Sequence, residues 1–299
     1  MSSCNRLGML YVRGDEVSQD YRRAVSYFRD ACDEQYGRAC AELGLRYENG
    51  QGVSRDLEGA NEAFGWACDY GNLWGCTKLG VNYSEGIGVT ANPSRAIDLF
   101  ERACEGDQMW GCHQLGNHYI IGRGVPVNYV RAAQLHRKAC EGEDGEGCTG
   151  LGLSYQMGRG VRPDQARATE LYVQGCEGGS SYGCRQAGLR YHHGHGVSPD
   201  PQRSAELLTL ACEGGDEEGC NSMGISYNEG RGVTKDPAQA VRYFGLACEG
   251  GSNWGCNNLG IHLRDATGIP EDKDRARQLF TRACRGGLSE ACENLEGLQ

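Results

Sequence analysis

Cysteines are the residues of this 299-residue chain whose number and spacing could support chemistry. Sixteen of the seventeen form eight pairs, in which the two members lie eight positions apart, and the pairs recur every 36 residues without an insertion or deletion. Paired thiols form a disulfide or, together with further ligands, bind a metal ion. Zinc ligands usually lie about two to four residues apart and come in sets of four, which this spacing does not supply. The pattern therefore favours disulfides, and disulfides indicate an oxidising compartment.

A second candidate for metal chemistry is the histidine cluster His192, His193 and His195. Three imidazoles within four residues could bind a transition metal. They fall at the predicted end of a helix and in a glycine-rich turn, where other repeats carry Met157 or Arg231. Side chains at such positions are usually solvated, so we interpret the histidines as surface residues. We predict no metal and no other cofactor.

The first half of each 36-residue unit predicts an amphipathic helix. A small residue, Leu and Tyr fall at i, i+4 and i+8, as in Gly111, Leu115 and Tyr119, and so lie on one helix face. A glycine follows this position in all eight units, as Gly116 does here, and the residue before it is Leu in six of them. Because a glycine inside a helix costs about 1 kcal/mol relative to alanine, its recurrence predicts a close approach between helices.

The second half of each unit predicts a turn and then a second helix. The turn reads Gly-x-Gly-Val, as in Gly122 to Val125, and its first glycine is typical of a left-handed helix C-cap. The second helix follows an Asp or Asn, whose side chain can cap the first turn. These predicted N-cap residues are Asp20, Asp56, Asn92, Asn128, Asp164, Asp200, Asp236 and Asp272.

A fixed period of this length predicts one supersecondary unit stacked along the chain. We therefore predict an all-α fold, an α/α superhelical solenoid of eight helix-pair repeats plus a terminal half-repeat, stapled by disulfides, in a single domain that spans residues 1–299. The predicted repeats are 1–36, 37–72, 73–108, 109–144, 145–180, 181–216, 217–252 and 253–288, with a partial repeat at 289–299.

The motifs Leu-Gly-x-x-Tyr, Gly-x-Gly-Val-x-x-Asp and Ala-x-x-x-Phe-x-x-Ala resemble the Sel1-like repeat, a relative of the tetratricopeptide repeat, over the whole chain. The added Cys-x7-Cys resembles the Helicobacter cysteine-rich proteins and the related mitochondrial cytochrome oxidase assembly factor. In that group a disulfide joins the two helices that flank each turn, and closing a loop of this size stabilises by about 2–3 kcal/mol. The resemblance implies the pairs Cys32–Cys40, Cys68–Cys76, Cys104–Cys112, Cys140–Cys148, Cys176–Cys184, Cys212–Cys220, Cys248–Cys256 and Cys284–Cys292.

The resemblance also implies two alternative functions. Helicobacter relatives have been described as penicillin-binding or β-lactamase proteins, which implies a β-lactam-binding protein or a β-lactamase-like hydrolase. The motifs Ser-x-x-Lys, Ser-Asp-Asn and Lys-Thr-Gly that this chemistry needs are absent from the sequence. The second alternative is a redox or cofactor-handling assembly factor, but the sequence has no Cys-x-x-Cys-His signature. We predict a non-catalytic scaffold and keep both alternatives open.

The first helices of the repeats vary most between the recurring Leu, Gly and Tyr. In tetratricopeptide-like solenoids this helix lines the concave groove, and a constant frame with a varied inner row suits a protein- or peptide-binding surface. An aromatic residue precedes Gly-Cys in several repeats, where it could contact a ligand or simply cover a disulfide. The predicted ligand-binding residues are Arg46, Asn82, His113, His118, Arg185, Arg190, Asn257 and His262 from the varied rows, and Trp74, Trp110, Tyr182 and Trp254 from the aromatic row.

The net charge of −10 argues against nucleic acid as a partner. No apolar run approaches the roughly 18 residues that span a bilayer, so we predict no membrane insertion. The cysteines predict a periplasmic or secreted protein, although no signal sequence is visible in this chain. Cys4 stands outside the eight pairs, and we expect it to be a free thiol or to link two copies of the chain in a dimer.

Overall fold

The structure is a computed structural model that describes residues 3–298. These residues contain seventeen α-helices and no β-strand. They form two compact units, of which unit 1 ends at Gly142 and unit 2 begins at Glu143. The predicted all-α, disulfide-stapled repeat fold is confirmed. Within residues 3–298, no helix is both long enough and apolar enough to cross a bilayer.

Unit 1 consists of four helix pairs. Its helices are α1 (Ser3–Arg13), α2 (Tyr21–Asp33), α3 (Gly37–Asn49), α4 (Leu57–Asp69), α5 (Leu73–Glu85), α6 (Pro93–Glu105), α7 (Met109–Ile121) and α8 (Tyr129–Glu141).

Unit 2 consists of four helix pairs and a shorter last helix. Its helices are α9 (Gly145–Met157), α10 (Gln165–Glu177), α11 (Ser181–His193), α12 (Pro201–Glu213), α13 (Glu217–Glu229), α14 (Pro237–Gly250), α15 (Asn253–Arg264), α16 (Lys273–Arg285) and α17 (Ser289–Glu296).

The helix boundaries follow from local capping chemistry. All eight predicted Asp and Asn residues cap the even-numbered helices, as Asn92 does by accepting a hydrogen bond from the backbone N–H of Arg95 at 3.1 Å. A cap of this kind contributes about 1 kcal/mol. The odd-numbered helix α5 ends at Gly86, which adopts the left-handed conformation with φ 74°, as the Gly-x-Gly motif predicts.

The recurring glycines mark close contacts of two kinds. A Cβ on Gly80 in α5 would lie 2.6 Å from the ring of Phe100 in α6, inside the same repeat. A Cβ on Gly88, the second turn glycine, would lie 2.5 Å from Leu57 at the start of α4 in the preceding repeat. The predicted close approach of the helices is confirmed, and in this repeat one glycine packs within the repeat and the other against the preceding repeat.

The core of each unit runs between its two layers of helices. The side chain that faces the glycine after Leu comes from the even-numbered helix and is fully buried, as are Phe64 and Phe100 in unit 1 and Phe280 in unit 2. Consecutive odd-numbered helices also contact each other: α5 contacts α3 and α7, and α13 contacts α11 and α15. We call the solvent-facing residues of α11, α13 and α15 the odd-helix surface of unit 2.

Candidate functional site

Within each unit, the disulfides fix an even-numbered helix to the odd-numbered helix that follows it. Cys104 lies in the last turn of α6 and Cys112 in the first turn of α7, with 4.5 Å between their Cα atoms. Cys140 and Cys148 are in the disulfide-bonded state as well. Cys4 in α1 is a half-buried free thiol. The bonds with described geometry are Cys32–Cys40, Cys68–Cys76, Cys104–Cys112, Cys176–Cys184, Cys212–Cys220, Cys248–Cys256 and Cys284–Cys292.

Disulfides of this number indicate an oxidising compartment. They also give the odd-numbered helices a fixed position at their N-terminal ends, which is where the predicted aromatic row lies. Wherever a bond is described, the odd-numbered helix that could contact a ligand is therefore covalently linked to the even-numbered helix before it.

Two of the predicted ligand-binding histidines support the turn at the end of their own helix. His118 is 5 % exposed, and its Nδ1 lies 2.8 Å from the carbonyl oxygen of Arg123. Its Nε2 lies 3.1 Å from the hydroxyl of Ser84 in the preceding repeat. His262 is also buried, and its Nδ1 lies 2.7 Å from the carbonyl oxygen of Thr267. Both imidazoles hold the residue between the two turn glycines or its equivalent.

In another repeat, Arg190 donates to the equivalent turn in place of a histidine. It is buried, and its Nη1 donates to the carbonyl oxygen of His195 at 3.3 Å and to Gln165 Oε1 at 3.1 Å. Thr169 Oγ1 donates to the same His195 carbonyl at 2.7 Å. The guanidinium carbon lies 5.2 Å from the ring centre of Tyr172. Arg190 therefore joins α10, α11 and the turn after α11.

Asn82 and Arg46 occupy the same position in earlier repeats. Asn82 is buried and donates from Nδ2 to Asn61 Oδ1 at 2.7 Å, and Asn61 in turn donates to the carbonyl oxygen of Ile87 at 2.7 Å. Arg46 is buried and pairs with Glu42 at 3.5 Å within α3. This row therefore lies mostly beneath the surface and bonds to its own repeat and to neighbouring repeats.

The second varied row is divided between buried and accessible residues. His113 is buried and its Nε2 bonds to Asn117 in the same helix at 2.9 Å. Asn257 is buried and accepts a hydrogen bond from Asn294 in α17 at 3.0 Å. The His113 contact therefore lies within α7, and the Asn257 contact joins α15 to α17.

Arg185 is the accessible member of that row. Its Nε donates to both carboxylate oxygens of Asp216, at 2.8 and 3.0 Å, and Asp216 is the N-cap of α13. Its guanidinium carbon lies 4.8 Å from the ring centre of Tyr182, within the range of a cation–π contact. Arg185 thus ties α11 to α13, and its side chain is 20 % exposed.

The aromatic row differs between the two units. In unit 1, Trp74 and Trp110 are half-buried, their ring centres lie 6.3 Å apart, and Trp74 also packs against Phe64. In unit 2, Tyr182 is 38 % exposed and Trp254 is 44 % exposed. An exposed tryptophan in a rigid frame offers a large apolar contact area to a partner.

A groove of about 530 Å³ lies between α13 and α15. Its walls combine apolar side chains with amides: Ile225 is 37 % exposed, and Asn258 donates to Asn221 at 2.9 Å. Trp254 stands at one end, where Glu218 also lines the groove and accepts a hydrogen bond from Ser252. Side-chain amides provide both donors and acceptors, which suits recognition of a peptide backbone.

A smaller cleft of about 220 Å³ lies on the other side of α13, against α11. Leu189, Leu208 and Ile225 form its apolar part, and Leu208 at its base is 2 % exposed. Its rim carries His192, His193 and Arg231. Because Ile225 lines both depressions, the groove and the cleft form one continuous surface across α13, which we call the α13 ridge.

The rim of the smaller cleft has a defined charge arrangement. Arg231 Nη1 lies 2.9 Å from His192 Nε2 and Arg231 Nε lies 2.6 Å from Glu229 Oε2. A guanidinium only donates, so His192 Nε2 accepts and the imidazole is neutral. Burial lowers the pKa of His192, and the charges of His193 and Arg231 lower it further.

The three clustered histidines lie at this rim. The rings of His192 and His193 are 4.6 Å apart and those of His193 and His195 are 5.5 Å apart. His193 and His195 are exposed, as the interpretation as surface residues requires, whereas His192 is half-buried and bonded to Arg231. In the described part of the chain, no group of three or more His, Cys, Asp or Glu side chains is arranged to hold a metal ion.

Larger but shallower depressions lie beside the Gly-x-Gly turns. One of about 710 Å³ is lined by the turn from Gly88 to Asn92 in unit 1, and one of about 620 Å³ by the corresponding turn from Val233 to Asp236 in unit 2. Because the same depression appears at the same place in both units, it is a feature of the repeat and not of one site.

Leu189, Ile225 and Ile261 were not among the residues predicted to bind a ligand, although all three line the α13 ridge. They share one repeat position, directly after the glycine that follows Leu. That position is apolar in seven of the eight repeats, with Asn117 as the exception. A recurring apolar residue outside the i, i+4, i+8 core face is the signal that could have identified this surface.

A model of the Sel1 repeat matches the chain at residues 2–36, 37–67, 75–107, 111–144, 145–180, 181–216, 217–252 and 255–288. No curated protein sequence matches the chain. Similar solved structures include a Sel1 repeat protein from Oxalobacter formigenes, with 24 % identity, a TM-score of 0.74, and coverage of 99 % of this chain and 87 % of that protein.

Two further solved structures are similar. A protective antigen of uropathogenic Escherichia coli displaying an SLR fold is 27 % identical, with a TM-score of 0.64 and coverage of 98 % of this chain and 70 % of that one. Cysteine-rich protein B of Helicobacter pylori is 31 % identical, with a TM-score of 0.37 and coverage of 44 % of this chain and 93 % of that one. The repeat model covers most of the chain with eight copies, and the chain therefore belongs to the Sel1 repeat family.

Proposed function

We propose that this chain is a non-catalytic scaffold that binds a protein or peptide partner along the odd-helix surface of unit 2, in the periplasm or outside the cell. The observation that carries the proposal is the α13 ridge, where a groove and a cleft on either side of one helix share Ile225. An apolar ridge flanked by two depressions, with an exposed tryptophan at one end, offers an extended peptide several side-chain contacts in a row.

The spacing of the two depressions suits an extended peptide. Neighbouring packed helices lie about 8–10 Å apart, so the centres of depressions on either side of α13 are separated by about that distance. A peptide in the polyproline II conformation repeats its side-chain direction every third residue, over about 9 Å. Residues i and i+3 of such a peptide would enter the cleft and the groove, and Asn258, on the α15 wall of the groove, would contact the part of the peptide that enters it.

Some of the predicted ligand-binding residues would contact the peptide, and others would hold the helices in place. Trp254, Tyr182 and Arg185 provide contacts on the surface. Asn257, His262 and Arg190 lie beneath it and hold α15, α17 and the adjoining turns in place.

In unit 1, we propose that the Trp74 and Trp110 pair provides an additional contact. Arg46, Asn82, His113 and His118 are buried and support the scaffold. They would affect a ligand through the position of the odd-numbered helices and not through direct contact.

The test begins with a probe of known composition. A phage-displayed library of random dodecapeptides is selected against the oxidised full chain, and the affinity of the recovered peptides is measured by fluorescence polarisation. We expect Trp254→Ala and Ile225→Asp each to weaken binding by ten-fold or more, because central aromatic and apolar contacts dominate such interfaces.

Trp66→Ala is the matched control, because Trp66 is as exposed as Trp254 at 44 % but lies on the even-numbered helix α4 of unit 1. It should leave the affinity within two-fold of the starting protein. Recovery of no peptide above background, or equal effects of all three substitutions, would refute the proposed function.

A further inference from the structure

The cleft between α11 and α13 is built for one side chain. At about 220 Å³ it is smaller than the sites that enclose a whole small-molecule ligand, which are usually about 300–1,000 Å³. Its base and walls are the aliphatic side chains of Leu208, Leu189 and Ile225. Burial of apolar surface there favours an aliphatic side chain of a bound peptide.

The rim of this cleft carries one arginine, Arg231, whose charge is balanced by Glu229 but whose guanidinium keeps further N–H donors. Arg231 and the exposed His193 stand at the cleft, His195 lies beside His193, and Glu229 is the carboxylate that pairs with Arg231. The side chain of Arg231 is 54 % exposed. A guanidinium has five N–H donors in a fork that matches a carboxylate, and the contacts with His192 and Glu229 use two of its three nitrogens, Nη1 and Nε.

The groove on the other side of α13 has the opposite character. Glu218 and Glu229 line it, and its histidine, His262, is buried and bonded to the carbonyl oxygen of Thr267. Because Glu229 is paired with Arg231, Glu218 is the carboxylate that would repel an acidic side chain in the groove, whereas Arg231 would donate to one at the cleft. The two sides of the α13 ridge therefore differ in the charge that they accept.

We infer that the partner of the α13 ridge is an extended peptide segment in which an acidic residue stands next to the aliphatic side chain that enters the α11–α13 cleft. The aliphatic group packs on Leu208 and Ile225, and the carboxylate accepts hydrogen bonds from Arg231. This inference rests on the proposed function, and it adds the chemistry of the partner and which of its side chains lie on the α11 side of α13.

The library selection supplies the first test, in the identities of the recovered peptides. We expect enrichment of Asp or Glu within two positions of Leu, Ile or Val. The best peptide is then compared with its Asn or Gln counterpart by fluorescence polarisation on the full chain and on Arg231→Gln. We expect the amide peptide to bind the starting protein about ten-fold more weakly, or about 1.4 kcal/mol, and to show less than a two-fold loss on Arg231→Gln.

Arg203→Gln is the matched control, because Arg203 is a surface arginine of unit 2 that also pairs with a glutamate, Glu206, at 2.8 Å. It should leave the preference for the acidic peptide unchanged. Circular dichroism on each variant checks that the helices are intact.

The outcomes separate the inference from the proposed function. Peptides whose binding needs Trp254 and Ile225 but shows no acidic preference, or an acidic preference that Arg231→Gln leaves intact, would overturn the inference and leave the proposed function standing. Failure to recover any peptide above background would overturn both.

Discussion

The Nδ1 atom of His118 lies 2.8 Å from the carbonyl oxygen of Arg123, the residue between the two glycines of its turn. A carbonyl oxygen only accepts, so Nδ1 carries the hydrogen. Arg190 donates to the corresponding carbonyl of His195 in another repeat. The requirement shared by these repeats is a donor at this position, and different side chains meet it.

Acidification should destabilise the protein through His118. Burial lowers the pKa of its imidazole, which outweighs the hydrogen bond to Arg123 that raises it. The unfolded chain therefore takes up a proton first, and the stability that neutral His118 provides is complete above about pH 6.5 and is lost as the pH falls below that value. Each unit of pKa depression corresponds to about 1.4 kcal/mol.

The measurement is the free energy of unfolding in urea at pH 7.5 and pH 5.0, for the starting protein and for His118→Gln. The glutamine amide can still donate to the Arg123 carbonyl but does not titrate. We expect the loss of stability on acidification to be smaller in the variant. Equal losses in both proteins would contradict this role of His118.

Removal of one disulfide should lower the free energy of unfolding moderately. The double substitution Cys104→Ala and Cys112→Ala opens the loop between α6 and α7, and the chain-entropy model gives a loss of about 2–3 kcal/mol. Urea unfolding under non-reducing conditions measures it. Cys4→Ala, which removes a thiol outside any disulfide, is the control and should lower the free energy of unfolding by less. Equal losses in the two variants would contradict a stabilising role of this disulfide.

The glycine that recurs in the first helix of each repeat, here Gly224 after Met223, should not tolerate a methyl group. In Gly224→Ala the new Cβ would lie 2.6 Å from the ring of Phe244, and we expect a destabilisation of about 1–3 kcal/mol from overpacking. Gly245, next to that phenylalanine in sequence, has no atom within 4 Å of a Cβ. Gly245→Ala should therefore stabilise the helix by up to about 1 kcal/mol. Thermal unfolding of both variants tests the contrast, and the same sign for both would refute the packing argument.

The state of the thiols can be read from intact mass. After denaturation and alkylation without reduction, we expect one adduct, on Cys4, and after reduction seventeen adducts. A mass of twice the chain that disappears on reduction would show that Cys4 links two copies. Seventeen adducts without reduction would contradict the disulfides and the oxidising compartment together.

Much of the fold could be predicted because capping residues in the repeat sequence mark where each helix begins and ends. Asn92 and its equivalents begin helices, Gly86 ends one, and Gly80 marks a close approach. The single domain over residues 1–299 stays a prediction, based on the 36-residue period that continues without a change past Gly142.

The candidate site was harder to predict because variation between repeats has two physical sources. A position can vary because it contacts a ligand, or because several side chains can make the same internal hydrogen bond. The row of His118 and Arg190 is of the second kind, and one sequence does not separate the two. The apolar position of Ile225 varies little, so it resembles core, and only the structure shows that it is 37 % exposed.

The most direct test of the central claim is to locate the bound peptide. A selected peptide that carries a photoreactive benzophenone is crosslinked to the full chain, and the attachment sites are mapped by mass spectrometry. We expect crosslinks on α11, α13 and α15, near Leu189, Ile225 and Trp254. Crosslinks confined to the even-numbered helices or to residues before Glu143 would contradict that claim.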